Sequence, residues 1–124
     1  MREILFRGKR IDNGGWVFGY YSPVNLPLAG CMGHFINEGG FRAVEIDHET
    51  IGQYTGLCDK NGRMIFEGDC VEVDYGVFGE VEWQKYEARF LLNIGNDWLP
   101  MDDCKCWKVI GNVRDNPELM GDIQ

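Results

Sequence analysis

Three groups of side chains in this 124-residue chain have types and spacings suited to chemistry. The first is acidic. In VEVDYGVFGEVEW, residues 71–83, strand alternation sets Glu72 and Asp74 against Val71, Val73 and Tyr75, and Glu80 and Glu82 against Val81 and Trp83. If the two strands pair, four carboxylates share a face, and facing like charges call for a cation or a basic partner. A solvated outer face has the same pattern, because antiparallel sheets commonly keep one side wet. No calcium loop with its fixed ligand spacing is written here.

The second group is soft. Cys31 and His34 in CMGH, with Cys104 and Cys106 in CKC, amount to four potential zinc ligands. C-x-C on a strand would aim both thiols the same way, which equally suits two buried cysteines packing as small hydrophobes. Cys58 and Cys70 read as ordinary strand residues. His34 and His48 are the near-neutral proton carriers of the chain, and spacing assigns neither of them a nucleophile with an orienting acid. Without such a set the chain reads as a non-enzyme that needs no cofactor. GGWVFG lacks the strand-to-helix context of a phosphate or dinucleotide loop.

The third group is basic and aromatic. Arg2, Arg7, Lys9 and Arg10 face only Glu3 within the first ten residues, and Trp16 follows shortly after. Exposed, such aromatics beside a basic strand would stack single-stranded bases. Strand aromatics alternating with charges are expected to point inward instead and fill the core. The net charge of −8 argues against a general nucleic-acid binder, whose affinity comes from Lys and Arg displacing phosphate counterions. Residues 67–82 concentrate Glu67, Asp69, Glu72, Asp74, Glu80 and Glu82 without a base. The acidic strand pair is therefore the first expected contact surface and the basic N-terminal strand the second.

The elements that must position these groups are strands. Helical periodicity is nearly absent, while runs rich in Val, Ile, Phe, Tyr and Trp recur between Gly, Asn and Asp clusters. EILFRGKR and WVFGYY flank IDNGG, giving a first hairpin over residues 3–21. Residues 22–40 carry prolines and glycines and read as a long loop with at most one short strand. FRAVEI leads to a second hairpin, with Asn61-Gly62 in a type I′ turn and Gly68-Asp69 in a further reversal. CVEVDY, GEVEWQK, ARFLLNI and CWKVIGNV follow as strands. The one helix start is NPELM, with Asn116 as N-cap and Pro117 in first position.

Length and a 44% hydrophobic content suit a single unit with its own core. Five cysteines, an odd number, fit a reducing compartment better than a disulfide framework. No apolar run approaches a membrane span, and the charged start MREILFRGKR does not open a signal peptide, so a cytoplasmic protein is expected.

Read whole, the sequence resembles the YopX family of phage and prophage proteins. The likeness lies in ILFRGKRIDNGGWVFGYY at 4–21, TIGQYTGLCDKNGRMIFEGDCVEV at 50–73, GEVEW at 79–83 and VIGNVRDNPELM at 109–120. The resemblance implies one domain of several short coiled β-sheets, mainly β with very little helix. It places an N-terminal hairpin region over about 1–50 and an SH3-like barrel over about 51–115. It implies a phage or prophage gene with a cytoplasmic product in the bacterial host. It implies no activity, the family being of unknown function, and carries over no catalytic residues. The expected role is then a non-enzymatic binding or adaptor module on a host or phage protein. Exposed strand edges add self-association as a second way to bury them.

Overall fold

The alternation of apolar and polar residues produces strands through almost all of the chain in the computed structural model, which describes residues 5–26, 28, 30–39 and 42–122. Of Cys31 and residues 120–122 only the backbone is described. The strands are β1 (Phe6–Arg10), β2 (Trp16–Leu26), β3 (Cys31–Gly39), β4 (Arg42–Cys58), β5 (Met64–Phe66), β6 (Asp69–Asp74), β7 (Val77–Gln84), β8 (Arg89–Asn93), β9 (Trp98–Pro100) and β10 (Lys108–Asn112). The helical content among the described residues is two 3-10 segments, Met101–Cys106 and Pro117–Asp122. The chain divides into two compact units, Met1–Tyr54 and Thr55–Gln124, with β4 running through the boundary.

In the N-terminal unit the antiparallel pairings close on themselves. β1 pairs β2, β2 pairs β3, β3 pairs β4, and β4 returns to β1. Val17, Ile36 and Ile46 fill the inside, with Phe6, Tyr21, Val44 and Ile51 packed around them. Gly8 faces this core because a Cβ there would lie 2.5 Å from Ile46 Cδ1. Residues 22–40 are not the expected loop. β2 continues through Leu26 and pairs with β3 from Tyr20↔Asn37 to Leu26↔Cys31. Pro23 lies within this pairing, opposite His34.

In the C-terminal unit the strand order is β10-β6-β7-β8-β9. Four strands meander, a 3-10 segment follows, and the fifth strand returns to pair with the first, which is SH3-like connectivity. No pairing joins β9 to β10 among the described residues, so the sheet is open at that seam. Its core holds Ile65, Val71, Val81, Phe90, Leu92, Met101, Cys104, Trp107 and Val109.

The turn before β5 departs from type I′. Among non-glycine described residues only Ala88 has positive φ, so Asn61 does not take the left-handed backbone that type I′ demands. The reversal instead spans Asp59–Gly62, closed by Gly62 N–H donating to Asp59 O at 3.0 Å, with Gly62 at φ 78°. The Asp59 carboxylate accepts from the backbone N–H of Asn61, Arg63 and Val109, each at 2.9 Å. It thereby ties the turn to β10. Near the C-terminus Pro117 opens a 3-10 segment rather than an α-helix, and Asn116 reaches backward to accept from Asn112 N–H at 3.2 Å instead of capping forward.

Candidate functional site

The basic and aromatic residues do converge, on the outer face of the N-terminal ring. Along β1, Phe6, Gly8 and Arg10 share one side while Arg7 and Lys9 share the other. Register sets Arg7 opposite Phe18 and Lys9 opposite Trp16. The Arg7 guanidinium carbon stands 4.6 Å from the Trp16 ring centre, and Lys9 Nζ stands 5.3 Å from it, both within cation–π range. Arg7 is 6% exposed, so it acts from beneath the indole, while Lys9 is half-buried. Further along β2 the same alternation turns Phe18 and Tyr20 outward, 44% and 66% exposed. Trp16, Phe18 and Tyr20 thus form a row of three aromatic rings beside two cations.

The expected set is only partly brought together. Arg10 points to the other side of β1 and makes a two-pronged bond with Asp12, Nε to Oδ1 and Nη2 to Oδ2 both at 2.8 Å, which holds the Asp12 carboxyl below the usual carboxylate range. Arg2 lies outside the described residues. The aromatics also depart from the inward expectation. Of the four tryptophans only Trp107 is buried, Trp16 is half-buried, and Trp83 and Trp98 are exposed.

The acidic quartet is separated by register. Glu72 lies between Lys108 of β10 and Phe78 of β7, and Glu80 between Cys70 and Asn93. Glu82 pairs across to Leu91 and accepts from Asn93 Nδ2 at 2.9 Å. The register shifts between Glu72 and Asp74, so the alternation does not carry Asp74 along, and its Oδ1 accepts from Tyr75 N–H at 2.8 Å. No two of the four are directly opposed. The expected head-on repulsion, and with it the demand for a cation or basic partner, is absent. What remains is one coupled pair. Burial pushes the Glu80 carboxyl up to about 7, with Glu82 adding to the rise and Arg114 opposing it.

The two CKC thiols are not placed as expected either. Cys104 and Cys106 sit in the 3-10 segment rather than on a strand, so their thiols diverge: Cys104 is buried and donates to Cys58 O at 3.6 Å, while Cys106 is exposed. They belong to the C-terminal unit, and Cys31 and His34 to the other. Among the described residues no three His, Cys, Asp or Glu side chains form a metal-binding group.

His34 has other company, which spacing did not reveal. At the mouth of the N-terminal ring its Nδ1 and the Tyr21 hydroxyl share a hydrogen bond at 2.5 Å. Its ring lies 4.8 Å from that of His48, at 24° between planes. Phe6 and Tyr21 continue the aromatic column toward the core. The two histidines open on a cleft of about 490 Å³ lined also by Lys9, Arg10, Met32 and Asp47. The alternation of Met32, His34 and Ile36 along β3 was the available signal, hidden by reading that stretch as loop.

No curated protein matches the chain. Its fold is similar to the crystal structure of protein EF1440 from Enterococcus faecalis, with a TM-score of 0.62 and 22% identity over 97% of this chain and 99% of that one. At this identity the likeness concerns the fold. The model of the YopX protein family matches residues 31–121, most of the chain, which accordingly belongs to the YopX family.

Proposed function

We propose that the protein is a binding module that takes single-stranded nucleic acid on the outer face of its N-terminal unit. One observation carries this reading: Trp16, Phe18 and Tyr20 form an aromatic row on one strand face, with Lys9 and Arg7 across from its start. Alternate residues of a strand advance about 6.8 Å, a spacing that an extended single strand can match base for ring. Stacking of this kind tolerates any base sequence. The overall charge opposes such binding less than its total suggests. Residues 1–54 carry five Lys and Arg against six Asp and Glu, whereas residues 55–124 carry seven against fourteen.

Docking of a basic protein on the acidic strand pair has less support, because the register gives Glu72 a lysine neighbour and Glu82 an amide. Among the described residues no helix is long and apolar enough to cross a membrane.

Fluorescence anisotropy with labelled single-stranded DNA and RNA, at rising salt, tests the reading. We expect a shallow salt slope, since each phosphate contact adds only about −0.7 for single strands. Lys9→Ala should reduce that slope by about this amount. Tyr20→Ala and Phe18→Ala should each weaken binding by about 1–3 kcal/mol at every salt concentration. Absence of binding at low salt, or binding indifferent to all three substitutions, overturns it.

A further inference from the structure

The aromatic row continues onto the next strand, where a fourth ring has a carboxylate beside it. We infer that this end of the row selects guanine, stacked by Phe35 and held at its Watson–Crick edge by Glu45. The inference rests on the nucleic-acid reading above.

Ser22 follows Tyr20 on the outer side of β2, and the ladder sets Phe35 of β3 opposite Ser22 on that same side. Phe35 is therefore a diagonal neighbour of Tyr20, about 7 Å away and within reach of aromatic side chains. That step repeats the spacing of about 6.8 Å along β2. The series Trp16, Phe18, Tyr20 and Phe35 suits successive bases of one strand. The Phe35 ring leans back along β3 over Gly33, where a Cβ would lie 2.8 Å from Phe35 Cε2. Glycine there lets the half-buried ring lie low on the sheet, the pose a stacking platform needs.

On the other side of Phe35 the ladder places Glu45 of β4, exposed and on the same outer face. Directly opposed residues stand about 5 Å apart at Cβ, so the carboxylate is beside a base lying on the ring. Arg10 and Arg42 border the hollow that Glu45 lines, but each already meets another acid, Asp12 at 2.8 Å and Glu38 at 3.8 Å. A carboxylate offers acceptors and no donor. Guanine presents two adjacent donors, N1–H and the N2 amino group, which match its two oxygens. Uracil and thymine flank their N–H with carbonyl oxygens that a carboxylate repels, and cytosine and adenine set a ring-nitrogen acceptor beside the amino group. Such edges are open to reading once a base is splayed onto an aromatic ring.

The test is a set of NMR titrations of the full chain with tetrathymidylate, with its variants carrying guanine at the first or the last position, and with the matching uridylate RNA series. In each series one guanine-ended strand should bind about tenfold more tightly than the all-pyrimidine one and shift Phe35 and Glu45. Hypoxanthine in place of that guanine lacks the N2 amino group and should forfeit most of the gain. Glu45→Ala should abolish the preference without weakening tetrathymidylate binding. Phe35→Leu, which keeps Gly33 covered, should weaken both strands about tenfold. Tetrathymidylate binding with no preference at either end, or a preference that survives Glu45→Ala, overturns this inference and leaves the nucleic-acid reading standing. A preference confined to DNA or to RNA also overturns it, because Phe35 and Glu45 are assigned to the base and not the sugar. Failure of every oligonucleotide at low salt overturns both.

Discussion

Asp59 accepts three backbone hydrogen bonds within one carboxylate, and the physical chemistry of that arrangement gives a stability prediction at the scale of a residue. Burial raises its pKa, but the N–H groups of Val109, Arg63 and Asn61 outweigh that, leaving it below the ordinary carboxylate value. Its stabilising effect is therefore present above the unfolded-state pKa and lost only as pH falls through the lower folded one. Asp59→Asn turns an amide NH2 toward backbone donors and should cost about 3 kcal/mol in urea unfolding at neutral pH. Glu80 behaves in the opposite sense. Its folded pKa of about 7 exceeds the ordinary value of 4.5, so its contribution is full below the latter and disappears as pH rises through the former. Unfolding curves should show stability falling between about pH 5 and 8, and Glu80→Gln should flatten that fall. Among the thiols, burial pushes Cys70 up to about 11 and also raises Cys104. Maleimide at neutral pH should label exposed Cys106 well before either, as read by peptide mass mapping.

At the scale of elements, the closing of the N-terminal ring depends on close backbone approach. Gly19 has φ 158°, and a Cβ there would stand 2.0 Å from the carbonyl oxygen of Asn37, a backbone atom that cannot swing aside. Gly19→Ala should destabilise the protein by at least about 2 kcal/mol, and the β2–β3 amides should lose hydrogen-exchange protection. Strand content was legible in the sequence because alternation and turn residues are local signals. The first hairpin and β6 through β8 follow directly from them. The β2–β3 extension was not, because proline and glycine read as breakers, whereas the pairing runs unbroken from Tyr20↔Asn37 to Leu26↔Cys31. The type I′ expectation at Asn61-Gly62 failed for a similar reason. The side chain of Asp59 organises a different reversal one residue earlier, and its third bond reaches 50 residues along the chain to Val109.

At the scale of the whole molecule, two apolar cores and two charge balances divide the chain at the same place. The Val17, Ile36 and Ile46 core lies within residues 1–54 and the Leu92-centred core within residues 55–124. Most of the negative charge belongs to the second unit, and the cation-flanked aromatic row belongs to the first. The candidate site was half legible: Arg7, Lys9 and Trp16 were identified together, but Phe18 and Tyr20 were not, since which side of β2 faces outward follows from the pairing of four strands. Arg10 was misplaced because it alternates away from Lys9 and bonds Asp12. The most direct measurement is an NMR titration of the isotope-labelled full chain with an unlabelled single-stranded oligonucleotide. The account predicts shifts concentrated on the Trp16 indole, the rings of Phe18 and Tyr20, and Lys9, with residues 55–124 largely still. A spectrum that does not move, or one whose shifts centre on Glu72, Glu80 and Glu82, would contradict it.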